Sequence, residues 1–182
     1  GDLVPTADAF LANFDMAGFY RKAAADWADA AREDGMLTDT APFVGIQYCG
    51  LAWAMAHPLL QTKLVQHYGD LRVVEEQYGT TRRWLDLVAK SSPDGLIREG
   101  LADHESLEPT PVPALVTPFY HETALMASRL AGLLGRHADE ARYRDLAASI
   151  AAAYRSKVIG SAAGGYEAMT QSGLAVALGL GL

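Results

Sequence analysis

Apolar and polar positions recur with a helical period along nearly the whole chain. From Thr6 to Glu33, Phe10, Phe14, Ala17, Ala24, Ala28 and Ala31 keep one apolar face, opposite Asp8, Asp15, Lys22, Asp26 and Asp29. Thr6 is expected to cap this first helix and Gly35 to end it. A second helix runs from Leu51 or Pro58 to Tyr68, with Pro58 suited either to a kink or to a first-turn position. A third follows Gly69-Asp70 and carries Val74, Tyr78, Thr81, Leu85 and Val88 on one side, until Pro93-Asp94-Gly95 breaks the chain. Thr117-Pro118 reads as the start of a fourth helix that closes at Gly135. Asp139 is expected to cap a fifth, which presents Tyr143, Leu146, Ala147, Ile150, Tyr154 and Val158. A sixth begins near Ala168. No segment sustains the alternation of a strand, so the predicted fold is all-α.

The connections alternate in length. Tyr68-Gly69-Asp70 and the stretch from Gly135 to Asp139 are short, and such links make antiparallel αα-hairpins. Asp34 to Gly50 and Ser92 to Val116 are long, and structureless loops above about 12–15 residues in a compact domain are mostly functional or disordered. Long loops would gather at one end of the array and short turns at the other. This repeat fits an α-solenoid or an α/α toroid, of which six helices would make half.

Composition narrows the function classes. Of 182 residues, 50% are hydrophobic and 20% charged, which suits a globular domain with a real core. The formal net charge is −7 and the basic residues are scattered, so neither a nucleic acid nor an anionic membrane is an expected partner. No apolar run reaches the roughly 20 residues that cross a bilayer. The single cysteine, Cys49, can form neither an internal disulfide nor a zinc cluster, and with no base beside it reads as buried and inert. The N-terminal Gly1-Asp2-Leu3-Val4-Pro5 lacks the features of a signal peptide, and Gly173 to Leu182 is almost wholly apolar. Both ends therefore read as cut from a longer chain, with self-association through exposed apolar helix faces expected.

Candidate chemistry lies in the long loops. Asp103-His104-Glu105 sets two carboxylates around an imidazole, a group that could hold vicinal sugar hydroxyls, ligate a metal or exchange protons. The plainer alternative is a pair of solvated loop acids, and a metal is not expected because no second ligand stands at helical spacing. Trp53, where the first long loop meets a helix, offers an aromatic face to the C–H bonds of a pyranose, although a core tryptophan is the commoner use. Trp27 and Trp84 lie mid-helix and are expected in the core. His57 before Pro58 reads as structural, and His67 and His137 as helix-end cations. No phosphate-binding loop or nucleophile elbow is present, and no cofactor is expected.

Taken in order, these segments resemble a known family. Asp15-Met16-Ala17-Gly18-Phe19-Tyr20-Arg21-Lys22, Trp27-Ala28-Asp29-Ala30 and Asp34-Gly35 resemble the helix that follows the acid motif of bacterial α-L-rhamnosidases. Trp53 with Ala56-His57-Pro58-Leu59-Leu60 and Tyr68-Gly69-Asp70 is similar to the next helix, and Gly100 to Ser106 with Thr170-Gln171 fits one branch of the family. The resemblance implies about half of an (α/α)6 toroid spanning residues 1–182, in an enzyme that releases terminal α-L-rhamnose with inversion. Its acid and base, two glutamates about 6.5–9.5 Å apart, would then lie outside these residues. It further implies that Asp2 binds rhamnose hydroxyls, that Trp53 forms an aromatic wall, and that Asp103, His104 and Glu105 line the pocket.

Two departures stand out: Ala54-Met55 where many members have Gly-Asp, and His104 where many have tryptophan. A periplasmic or secreted location would suit the parent, although nothing in the chain fixes the compartment. Two alternatives remain: another six-hairpin carbohydrate enzyme, and a non-catalytic helical-repeat scaffold. The second predicts polar capping helices at both ends.

Overall fold

A computed structural model describes residues 2–46, 50–103, 106–160, 165 and 169–182. Among these residues the regular structure is entirely helical: α1 (Leu3–Asn13), α2 (Ala17–Asp29), the short α3 (Leu51–Ala54), α4 (Ala56–Tyr68), α5 (Leu71–Ser91), α6 (Val112–Leu133), α7 (His137–Tyr154) and α8 (Gln171–Gly179). A π-helical turn, Arg155–Ile159, extends α7.

The helices stand in two rows. In one row α1, α4, α6 and α8 are successive neighbours. In the other α2 packs beside α5, and α5 is tied to α7 through the Tyr143 hydroxyl, which donates to Asp86 at 2.9 Å. Each hairpin therefore crosses from one row to the other. Composition follows the rows. In α6, apolar and small residues are buried around much of the circumference, from Ala114 and Val116 to Tyr120, Ala124, Met126, Ala127 and Leu130. A helix apolar on most sides belongs between neighbours. Helix α5 instead buries one stripe, Val73, Val74, Tyr78, Thr81, Trp84, Leu85 and Val88, and exposes charge on its back. This is the stripe predicted from its periodicity. Trp27 and Trp84 are core residues, as expected.

Three expectations are corrected. The first helix is two helices. The break falls at Phe14, whose backbone is extended, and at Asp15, whose Oδ1 accepts the Ala17 N–H; the Met16 N–H is taken by the Tyr68 hydroxyl at 2.7 Å. Its buried face is Ala7, Tyr20, Ala24 and Trp27, whereas Phe10 and Phe14 are exposed, and Thr6 lies inside α1 instead of capping it. This break turns an unpaired helix into a further hairpin, giving, among the described residues, three hairpins and the helix α8. Second, α6 begins at Val112, so Thr117-Pro118 lies within the helix. Proline has no N–H for the carbonyl four residues back. That carbonyl, Ala114 O, accepts a hydrogen bond from the Tyr154 hydroxyl at 2.8 Å, which supplies α7's donor in place of the lost one. Third, α7 begins at His137, so Asp139 lies in its first turn instead of capping it, and the His137 ring stands where a cation opposes the helix dipole. It pairs with Glu140 at 3.1 Å instead.

The short turns form one end of the array. Gly69 (φ 64°) closes α4, with the Asp70 N–H reaching back to Leu64 O, and Gly135 (φ 67°) closes α6 in the same way through Arg136 N–H and Ala131 O. Polar links stitch this end together: Met16 to Tyr68, Arg21 to Asp70, and the Arg136 guanidinium over the Tyr78 ring at 5.2 Å. The connections at the opposite end are long: from α2 to α3, from α5 to α6, and from the π-turn to α8.

Candidate sugar-binding site

The row of α1, α4, α6 and α8 points its helix N-termini at the long-loop end, and the loops there are held by specific bonds. After α2 the chain makes a tight turn at Gly35 (φ 95°), with the Asp34 carboxylate accepting the Met36 N–H. The Trp27 indole N–H then donates to Thr38 O at 3.0 Å, fixing the loop to α2. Asp39 is 7% exposed, and its Oδ1 accepts the Gly50 N–H at 2.7 Å. Gly50 opens α3, and its carbonyl receives both the Trp53 and Ala54 N–H groups. Trp53 thus stands one turn beyond an anchored glycine, half-buried.

The second long loop is pinned at three points. Asp94 pairs with Arg98, and this guanidinium holds its carboxyl well below the usual carboxylate range. The Ile97 N–H donates to the buried Thr117 hydroxyl at 3.1 Å, and Thr110 bonds Thr170 at 2.6 Å, tying this loop to the start of α8. Between these points Gly100 passes against Gly50 so closely that a Cβ on Gly50 would lie 3.0 Å from the Gly100 Cα. The two long loops cross there, three residues before Trp53 and three before Asp103. Asp103 is half-buried.

The crossing brings the backbones that lead to Trp53 and to Asp103 against each other at Gly50 and Gly100. Asp2, exposed at the start of α1, lines a different groove of about 510 Å³ with Phe10, Phe19, Lys22, Trp27 and Thr40. Behind the crossing lies a cavity of about 500 Å³, lined by Met36, Asp39, Phe43, Trp84 and both glycines; Trp53 and Asp103 line neither space. His104, Glu105 and Cys49 lie outside the described residues. Ala54 and Met55 are buried at 2% and 3% exposure, so this chain sends two apolar side chains into the core here.

Sequence reasoning passed over two groups. On α6, Glu122 is partly buried, which raises its pKa against the pull of Arg129, 3.4 Å away. Its neighbour His121 is half-buried, and burial with nearby Arg155 and Arg129 lowers its pKa. An adjacent ionisable pair in the middle of a largely apolar helix was the available signal. Among the described residues, no three His, Cys, Asp or Glu side chains gather to hold a metal ion, and no helix is long and apolar enough to cross a membrane.

The family model described as bacterial alpha-L-rhamnosidase 6 hairpin glycosidase domain matches residues 1–182. The chain belongs to this family. Its described helices correspond to part of a six-hairpin domain. An alpha-L-rhamnosidase of Streptomyces avermitilis is 32% identical over 186 residues, covering 100% of this chain and 18% of the relative. The structure of an alpha-L-rhamnosidase from Dictyoglumus thermophilum superposes with a TM-score of 0.80 at 31% identity, covering 86% of this chain and 18% of that one. The crystal structure of the Streptomyces avermitilis enzyme complexed with L-rhamnose gives a TM-score of 0.78 at 30% identity, over 91% and 16% of the respective chains. The chain thus spans under a fifth of the length of these rhamnosidases.

Proposed function

We propose that these 182 residues form part of the catalytic toroid of an inverting glycosidase that releases terminal α-L-rhamnose, and that they supply sugar-binding wall instead of the catalytic pair. Trp53 stacks on the sugar ring, while Asp103, with His104 and Glu105 beside it, and Asp2 hold hydroxyl groups. The two glutamates that protonate the leaving oxygen and activate water come from elsewhere in the parent chain. The reading rests on one observation above others: the crossing of the long loops at Gly50 and Gly100, which carries an aromatic face and a carboxylate to the same end of the array. Family membership and a relative crystallised with L-rhamnose support the choice of sugar. We further propose that this chain alone self-associates through its exposed apolar helix faces.

Hydrolysis of an aryl α-L-rhamnoside tests the reading, comparing these residues with a chain extended to its gene boundaries. The extended chain is expected to turn over and the 182 residues alone to be inactive. Turnover by the 182 residues that Asp103→Asn abolishes would overturn the placement of the catalytic pair. Inactivity of the extended chain on rhamnosides, with activity on another glycoside, would overturn the sugar.

A further inference from the structure

We infer that Asp39 and the Gly50–Gly100 contact form a clamp that sets the distance between the two sugar-binding loops, with Asp39 as a positioning residue acting through Trp53. The functional half of this inference rests on the reading just given; the structural half does not. Gly50 has φ 76° and ψ −152°, a backbone region that is essentially glycine's alone. Gly100 has φ 118°, also disfavoured for other residues. The first loop cannot hold this course with a side chain at Gly50, because the atom that a Gly50 Cβ would meet is backbone and cannot rotate away; at Gly100 the positive φ disfavours a side chain.

Asp39 fixes the other coordinate. Its carboxylate is buried and accepts the Gly50 N–H, a charge-assisted bond of the stronger kind. In the first turn of α3 the Trp53 and Ala54 N–H groups both donate to Gly50 O, so a displaced Gly50 carries the Trp53 ring with it. On the other strand of the crossing, Ile97 N–H to Thr117 anchors the approach to Gly100, and Asp103 follows three residues later. The crossing thus couples an aromatic wall to a carboxylate through backbone contact.

The first test needs no substrate. The chain has three tryptophans, so 5-fluorotryptophan labelling gives three fluorine resonances, and Trp53→Phe assigns one of them. Asp39→Ala and Gly100→Ala are each expected to move or broaden the Trp53 resonance, and Asp39→Asn, which keeps an acceptor for Gly50, to restore most of it. If Asp39→Ala does not unfold cooperatively, Gly100→Ala carries the same test. A Trp53 resonance unmoved in cooperatively folded variants overturns the clamp, whatever the enzyme cleaves.

The second test is kinetic, in the gene-length enzyme. Asp39→Ala should lower kcat/KM for the aryl rhamnoside on the order of 10–100-fold, the usual cost of a misplaced contact, with Asp39→Asn recovering most of the loss. In a cycle with Trp53→Ala the two effects should be strongly non-additive. Additive effects overturn the positioning role. A moved resonance in an enzyme that cleaves no rhamnoside keeps the clamp and removes the sugar assignment.

Discussion

His57 has none of its surface exposed and sits among amides and a hydroxyl. Gln61 Nε2 lies 3.2 Å and Thr81 Oγ1 3.1 Å from Nδ1, while Nε2 lies 3.4 Å from Gln77 Oε1. This set fits a neutral ring protonated on Nε2. Burial lowers its pKa to about 4, against a smaller opposing contribution from Gln77. The unfolded chain takes up the proton near pH 6.5, so between that pH and about 4 the unfolded state binds more protons than the folded one. Stability contributed by neutral His57 is therefore complete above the unfolded value and lost as pH falls through this window, by about 3 kcal/mol at most. His57→Gln should flatten that dependence. Urea midpoints at several pH values, compared between the two proteins, measure it; equal slopes would show that other groups carry the acid sensitivity. The residue preceding Pro58 read as structural in the sequence, and its network explains why.

At the scale of elements, α6 depends on a partner 40 residues away. Pro118 deprives Ala114 O of its helical donor and the Tyr154 hydroxyl replaces it. Tyr154→Phe should therefore cost about 1–3 kcal/mol, the penalty for leaving a buried acceptor unmet. Pro118→Ala in the same chain should return part of that loss by restoring the N–H. Thermal unfolding of the two single variants and the double variant decides it; a double variant no more stable than Tyr154→Phe would show that the helix gains nothing from the restored donor.

This pairing also marks where sequence reasoning reached its limit. Local rules assign Thr-Pro to a helix start, and only a long-range hydroxyl makes the interior position tolerable. The break at Phe14 was hidden for the same reason: no glycine or proline signals it, and Tyr68 holds it from another hairpin. By contrast α5, with an uninterrupted buried stripe, and the glycine-closed turns at Gly69 and Gly135 were legible from periodicity and turn chemistry. Trp53 and Asp103 were visible as residue types in long loops. Their joint dependence on Gly50 and Gly100 was not, because a backbone crossing leaves only two glycines 50 positions apart in the sequence.

For the molecule as a whole, the open sides of the array matter most. Phe14, just after α1, is 64% exposed, Phe19 on α2 58% and Leu178 on α8 63%, at the two limits of the arc. Apolar surface of this kind marks contact sites or association. Sedimentation of the 182 residues should reveal concentration-dependent association, weakened by Phe14→Ser with Phe19→Ser; a dilute monomer unaffected by concentration would refute it.

The turn end, stitched by Tyr68, Arg21 with Asp70 and Arg136 over Tyr78, has a consequence for how such a domain can diversify. Helix spacing is set at one end, while the loops proposed to bind sugar lie at the other. Doubling the length of a flexible loop adds only about 0.6 kcal/mol of closure cost. Insertions in the three long connections would leave the foundation as it is. A lineage could then exchange one glycan preference for another by rewriting its loops, provided that the two glycines at their crossing stay glycine.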